Sequence, residues 1–142
     1  MKINISSDHA GFKLKKSIVS FLSKNYEIND LGPYLEDSVD YPDFAHKLVK
    51  DLIENKVAMG ILICGSANGI SMAANKHKDA RAAVCWNKEI ARLAKQHNNA
   101  NILSLPARFV TETEAFDIIK AFIDTDFEGG RHLRRVNKIN CV

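Results

Sequence analysis

The residue most able to do chemistry is Cys64. An apolar run from Val57 to Ile63 ends in this thiol, and Gly65-Ser66-Ala67-Asn68-Gly69-Ile70 follows. The run reads as a buried parallel strand. The small residues after it leave the thiol uncovered, and two glycines let the backbone bend and a ligand approach closely. A helix beginning near Asn68 is expected to lower the thiol pKa and favour the thiolate. The chemistry this predicts is a thiolate base or nucleophile beside a nest of backbone N–H groups that holds a developing oxyanion. Two other thiol chemistries fail on spacing. A C-x5-R phosphatase needs arginine where Ile70 stands, and a thioredoxin-type pair needs cysteine where Ala67 stands. The bland alternative, a packed core cysteine, suits Cys85 and Cys141 better.

Three further groups carry candidate chemistry. In Gly129-Gly130-Arg131-His132-Leu133-Arg134-Arg135, a helix starting after the glycines puts Arg131 and Arg135 on one face, spaced to clamp a phosphate. Arg134 belongs to a solvated basic face. Asp8-His9 follows the first strand, on the same sheet edge as Cys64. Gln96-His97-Asn98-Asn99 ends a helix just before another strand. His46, His77 and His132 lack comparable company and read as surface residues. No cluster of His, Cys, Asp and Glu has metal-ligand spacing, so a metal-free site is expected.

Strand-like and helix-like segments must position these groups, and they alternate along the whole chain. Strands are expected at Ile3 to Ser6, Tyr26 to Leu31, the run ending at Cys64, Ala82 to Cys85 and Ile102 to Leu105. Between them, Leu14, Ile18, Phe21 and Leu22 share one helical face, as do Phe44, Leu48, Leu52 and Ile53 behind Pro42. Asn87 opens a helix that turns Ile90, Leu93 and Ala94 inward. Thr111-Glu112-Thr113-Glu114 is a capping-box pattern before Ala115, Ile118, Ile119, Phe122 and Ile123. The alternation predicts a Rossmann-like three-layer α/β domain over residues 1–142. Its five-stranded, mostly parallel sheet has helices on both faces, and a C-terminal helix follows. The polar stretch from Gly32 to Asp40 is the best candidate for a mobile loop.

The bulk properties exclude more than they assign. With 142 residues, 46% hydrophobic and 26% charged, the chain has the size and composition of one soluble domain. A net charge of +3 is too small to point to nucleic acid. Most phenylalanines fall on predicted core faces, so stacking on bases is not expected either. Three cysteines without paired spacing suit a reducing compartment. The start, Met1-Lys2-Ile3-Asn4-Ile5-Ser6, is too polar for a signal peptide, and no run reaches the roughly 18 apolar residues of a membrane span. A cytoplasmic enzyme with no membrane partner is expected.

Taken in order, six motifs carry a resemblance over nearly the whole chain. They are Ser7-Asp8-His9-Ala10-Gly11, Asp40-Tyr41-Pro42, Ile63-Cys64-Gly65-Ser66-Ala67-Asn68-Gly69-Ile70-Ser71, Ala73-Ala74-Asn75-Lys76, Gln96-His97-Asn98 and Gly129-Gly130-Arg131-His132. With them the chain resembles the ribose-5-phosphate isomerase B family, which includes the galactose-6-phosphate isomerase subunits. The resemblance implies interconversion of ribose 5-phosphate and ribulose 5-phosphate through a cis-enediolate, in the non-oxidative pentose phosphate pathway, with no cofactor. It implies that Cys64 takes the proton from carbon 2 and returns it at carbon 1. Some members use a later carboxylate instead, but Ile70 occupies that position here. The amides of Gly65, Ser66, Ala67, Asn68, Gly69 and Ile70 would hold the enediolate, at about 3 kcal/mol per donor.

By the same resemblance Ser66 shuttles a proton between the two oxygens, and His97 opens the sugar ring. Asp8 contacts ring hydroxyls, while His9, Arg131 and Arg135 bind phosphate, and Tyr41 and Asn98 line the site. A homodimer, or a dimer of dimers, is implied, with His97, Asn98 and Arg108 donated by the partner. This chain departs from the family pattern at Ala67, where glycine is common, and at Pro106-Ala107 before Arg108. Two other functions fit the same residues: an isomerase for a six-carbon sugar phosphate (galactose 6-phosphate or allose 6-phosphate), and a non-catalytic sugar-phosphate sensor.

Overall fold

The alternating pattern folds into one sheet whose carboxyl edge collects the polar groups. A computed structural model describes residues 1–141. The elements run β1 (Lys2–Ser7), α1 (Phe12–Leu22), β2 (Glu27–Asp30), α2 (Tyr41–Glu54), β3 (Met59–Cys64) and α3 (Asn68–Ala74). They continue as β4 (Ala82–Val84), α4 (Lys88–Asn98), β5 (Ile102–Pro106), α5 (Glu112–Ile123) and α6 (Arg131–Val136). The strand order is β2-β1-β3-β5-β4, and every neighbouring pair is parallel. The expected "mostly parallel" sheet is therefore parallel throughout.

β3 lies at the centre and is buried along its whole length. Its side chains alternate between two cores, as the pleat requires. Ile61 and Ile63 join Ile3, Ile5, Leu103 and Leu105 beneath Ile18 of α1 and Ile118 and Phe122 of α5. Leu62 and Cys64 point the other way, against Leu48 and Val49 of α2 and Ile70 of α3. Each fully buried Leu, Ile or Phe contributes about 1.5–3 kcal/mol. The site therefore rests on the least deformable part of the molecule.

The helix signals form as read. Pro42 sits in the first turn of α2, and Asn87 Oδ1 accepts the Ile90 N–H at 2.9 Å to cap α4. Thr111 and Glu114 complete a reciprocal capping box at α5.

Three details differ. The fourth strand stops at Val84, although the Cys85 N–H still bonds the Ser104 carbonyl at 3.0 Å. Lys15, on the core side of α1, is only 1% exposed and its Nζ pairs with both Asp30 oxygens at 2.5 and 2.6 Å. The segment from Gly32 to Asp40 is anchored at its start, while Leu35 to Ser38 are exposed. The Gly32 carbonyl accepts from Ser7 N at 3.1 Å and Ser6 Oγ at 3.0 Å, and Gly32 N donates to Asp30 Oδ1 at 2.9 Å. The Tyr34 hydroxyl donates to the Asp30 carbonyl, also at 2.9 Å.

Candidate active site

Three strands end at the same place. The chain leaves β1 through Asp8 and His9, β3 through Cys64 and Gly65, and β5 through Ala107 and Arg108. In open parallel sheets this carboxyl edge, where neighbouring connections diverge, is the usual seat of a ligand. A cavity of about 410 Å³ opens there, lined by Asp8, His9, Cys64, Gly65, Ser66 and Arg108. The exposed ring of Phe109 forms one wall, and no sequence signal had singled it out.

Cys64 is 8% exposed, so its sulfur borders the cavity from within the core. Its thiol donates to Asp8 Oδ2 at 3.1 Å. The other Asp8 oxygen accepts the Gly11 N–H at 3.0 Å, which fixes the carboxylate against the thiol. The expected lowering of the thiol pKa is corrected here. Burial first, then the hydrogen bond and charge of Asp8, push the thiol up to about 11. The backbone N–H groups of Ala67 and Gly65 pull the other way and are outweighed. Helix-start polarity was the right effect with the wrong rank: desolvation and an adjacent carboxylate are stronger at this range.

The 65–70 segment wraps this thiol. Ser66 is exposed, and its Oγ accepts from Asn68 N at 3.4 Å. Ala67 is fully buried with φ +63°, a left-handed conformation that costs a non-glycine residue about 1–2 kcal/mol. A glycine at this position would escape that strain, which gives the departure expected at Ala67 a physical counterpart. Ile70 is fully buried, leaving only its backbone for a ligand. Tyr41 presses on Gly69: a Cβ there would lie 2.5 Å from the Tyr41 Cζ. Arg108 lies over Gly65 within the same chain, its N–H bonding the Gly65 carbonyl at 3.1 Å. This chain thus brings its own Arg108 to its own Cys64, where a partner's had been expected. His9 is held by its Nδ1, which accepts from Val39 N at 3.4 Å.

The remaining candidates sit elsewhere. His97 and Asn98 close α4 just before β5, which places them at the amino edge of the sheet. Asn98 lines a different cavity there, of about 750 Å³, with Arg81, His77, Lys76 and Ile139. Arg131 and Arg135 are exposed on α6, which packs on α4. One chain alone therefore does not unite Arg131 and Arg135 with His9, or His97 with Cys64.

Three histidines read as surface residues also need correction. His132 is 7% exposed and stacks on His97, with centroids 4.2 Å apart and planes within 10°. Burial, then His97 and Arg131, lower its pKa, while Glu128, 3.5 Å from its Nε2, opposes them. His46 Nδ1 and His77 Nε2 share a hydrogen bond of 2.7 Å. His97, Glu128 and His132 also bring ligand atoms within 4.8 Å of one another, a convergence that linear spacing hides. The near-parallel rings, however, aim their in-plane lone pairs along separate planes rather than at one point. Among the described residues no helix is long and apolar enough to cross a membrane.

Comparison with known proteins agrees with this geometry. The family model described as Ribose/Galactose Isomerase matches residues 3–139. The chain is similar to the crystal structure of a ribose 5-phosphate isomerase from Thermotoga maritima, with 49% identity and a TM-score of 0.97. That match covers 99% of this chain and 98% of the other. It is also similar to ribose-5-phosphate isomerase B from Mycoplasma genitalium, solved with bound ribulose-5-phosphate. Here identity is 47% and the TM-score 0.93, over 97% and 93% of the two chains. Ribose-5-phosphate isomerase B of Escherichia coli is 39% identical over 142 residues, 99% of this chain and 95% of that protein. With the family model matched over residues 3–139 and these relatives covered along almost their full length, the chain belongs to the ribose/galactose isomerase family.

Proposed function

We propose that the protein interconverts ribose 5-phosphate and ribulose 5-phosphate, with Cys64 as the base. The observation that carries this reading is the Cys64 sulfur at the end of the central strand, facing a cavity shared with Asp8, His9, Ser66 and Arg108. Ring opening by His97 presents the aldehyde form. Cys64 Sγ then takes the proton from carbon 2 and delivers it to carbon 1. The S–H bond forms as the C–H bond breaks, then the reverse occurs one carbon away. Amides of the 65–70 segment carry the enediolate charge, and the Ser66 hydroxyl passes a proton between its oxygens. Tyr41 and Asn98 border the sugar.

Because His97, Asn98, Arg131 and Arg135 lie at the opposite edge of their own sheet, the working site is built from two copies. One supplies Cys64, Asp8, His9 and Arg108, and the other supplies the ring-opening histidine and the phosphate-binding arginines. A homodimer is the smallest assembly that does this with both sites complete.

Turnover of ribose 5-phosphate by Cys64→Ala tests the assignment. A loss of about 10²–10⁴-fold is expected for removal of a proton-transfer group. Unchanged turnover would end the reading. A parallel panel of ribose, galactose and allose phosphates should give the highest kcat/KM with the five-carbon sugar. A preference for a six-carbon substrate moves the protein to the other arm of its family.

A further inference from the structure

We infer that Asp8 is the proton partner of Cys64: the reactive site is a thiol–carboxylate pair sharing one proton, and the sulfur becomes a thiolate by passing that proton to Asp8 Oδ2. The inference rests on the reading of Cys64 as base. Its support is geometric. The thiol points at Asp8 Oδ2 over 3.1 Å, both residues are buried, and Gly11 N–H occupies the remaining Asp8 oxygen. The pair thus has a single defined path for the proton.

A thiol ionising into solvent from a pKa of about 11 would be thiolate in only about one molecule in 10⁴ near pH 7. Transfer within the pair makes the thiolate population independent of pH, because the pair already carries one negative charge. The S–H bond breaks, an O–H bond forms on Asp8, and the charge moves to sulfur with no net change and no exchange with water. The new carboxylic acid then donates its hydrogen bond to the thiolate. After the substrate proton has been taken up and returned, the pair relaxes to thiol and carboxylate. The other titratable and charged groups facing this pair are His9 beside Asp8 and Arg108 from the segment after β5. Arg108 favours retention of the negative charge.

The test is a pH profile of kcat/KM beside a titration of the thiolate by its ultraviolet absorbance. In the native enzyme a level profile is expected from about pH 7 to 9, while absorbance shows the thiol still protonated. In Asp8→Asn the amide oxygen can still accept the Gly11 N–H, so the turn is retained. There the thiol should titrate at lower pH, having lost an acceptor and a negative neighbour, yet activity should climb about tenfold per pH unit toward that pKa. Asp8→Glu keeps a carboxylate and should keep the level profile at reduced rate. A native profile that itself climbs tenfold per unit, or an Asp8→Asn profile as level as the native one, overturns the inference. Failure of the wider reading looks different: Cys64→Ala then stays active whatever Asp8 does.

Discussion

The two edges of the sheet solve the same problem, placing polar groups where core and solvent meet, by opposite means. At the carboxyl edge, Asp8, Cys64 and Arg108 each lie at or within two residues of the end of a buried strand. Their relative positions follow from strand pairing alone, with Ser7 opposite Ile63 and Cys64 opposite Pro106. At the amino edge, His97 and His132 meet because a short helix folds back on a longer one, with the Glu128 N–H bonding the Gln96 carbonyl at 3.1 Å. The first edge is built on buried strands and holds the Asp8 carboxylate against the Cys64 thiol. The second is basic, partly exposed and assembled from segments distant in the chain. A sugar phosphate needs both, an acceptor for its carbon-bound proton and cations for its phosphate.

The comparison breaks most completely in a mixing experiment. If the edges belong to different copies in each working site, Cys64→Ala and His97→Ala homodimers should both be inactive. Exchanging their subunits should restore activity to about a quarter of the native level. Half of the dimers are then mixed, and in a two-fold dimer one of their two sites regains both groups. Should exchange be demonstrated by mass without any recovery, the two edges do not cooperate across an interface. That outcome would leave Arg131 and Arg135 as a solvated face.

A smaller effect sharpens the account of the rigid edge. Gly69→Ala would place a methyl 2.5 Å from the Tyr41 ring, and the α3 backbone cannot retreat because Ile70 is fully buried. The ring or the loop must shift, at a cost of about 1–3 kcal/mol. Activity should fall about tenfold or more, since a shift near 1 Å in the amides spoils their aim at the enediolate. A variant with native melting temperature and native kcat would show that Tyr41 adapts freely.

The difference between the edges also explains what could be read from the chain. The sheet and the Cys64 loop were legible because they depend on local pattern: an apolar run, then small residues, then a cap. Cys64, Asp8 and His9 could be placed on one edge by counting strands. The protonation of Cys64 could not, because it turns on one carboxylate oxygen 3.1 Å away from a residue 56 positions earlier. Lys15 was illegible for the same reason, since it sits on α1 and its partner Asp30 at the end of β2. His132 looked like a surface residue because its burial depends on α6 meeting α4, and no periodicity reports how two helices meet. The arginine pair was correctly read as sharing a helix, but which edge that helix covers is a matter of tertiary packing.

The smallest predicted effect is the most specific to the contrast, because the edges should respond to opposite ends of the pH scale. His132 has its pKa lowered in the folded chain from an ordinary value of 6.5. The unfolded chain therefore binds more protons near and below that value, and stability conferred by neutral His132 is lost as pH falls. Cys64 is raised from 9.0 to about 11, so above pH 9 the unfolded chain releases a proton that the folded one keeps, and stability falls as pH rises. Cys85, buried and pushed up to about 12, acts in the same direction, while His77, also lowered by burial, adds to the acid side. Melting temperatures of native protein, His132→Gln and Cys64→Ala across this range separate the two. His132→Gln should shallow only the acid limb and Cys64→Ala only the alkaline one, each in part. If either variant moved both limbs alike, the edges would be titrating as one coupled network. The division of labour argued from their separation would then fail even where the fold did not.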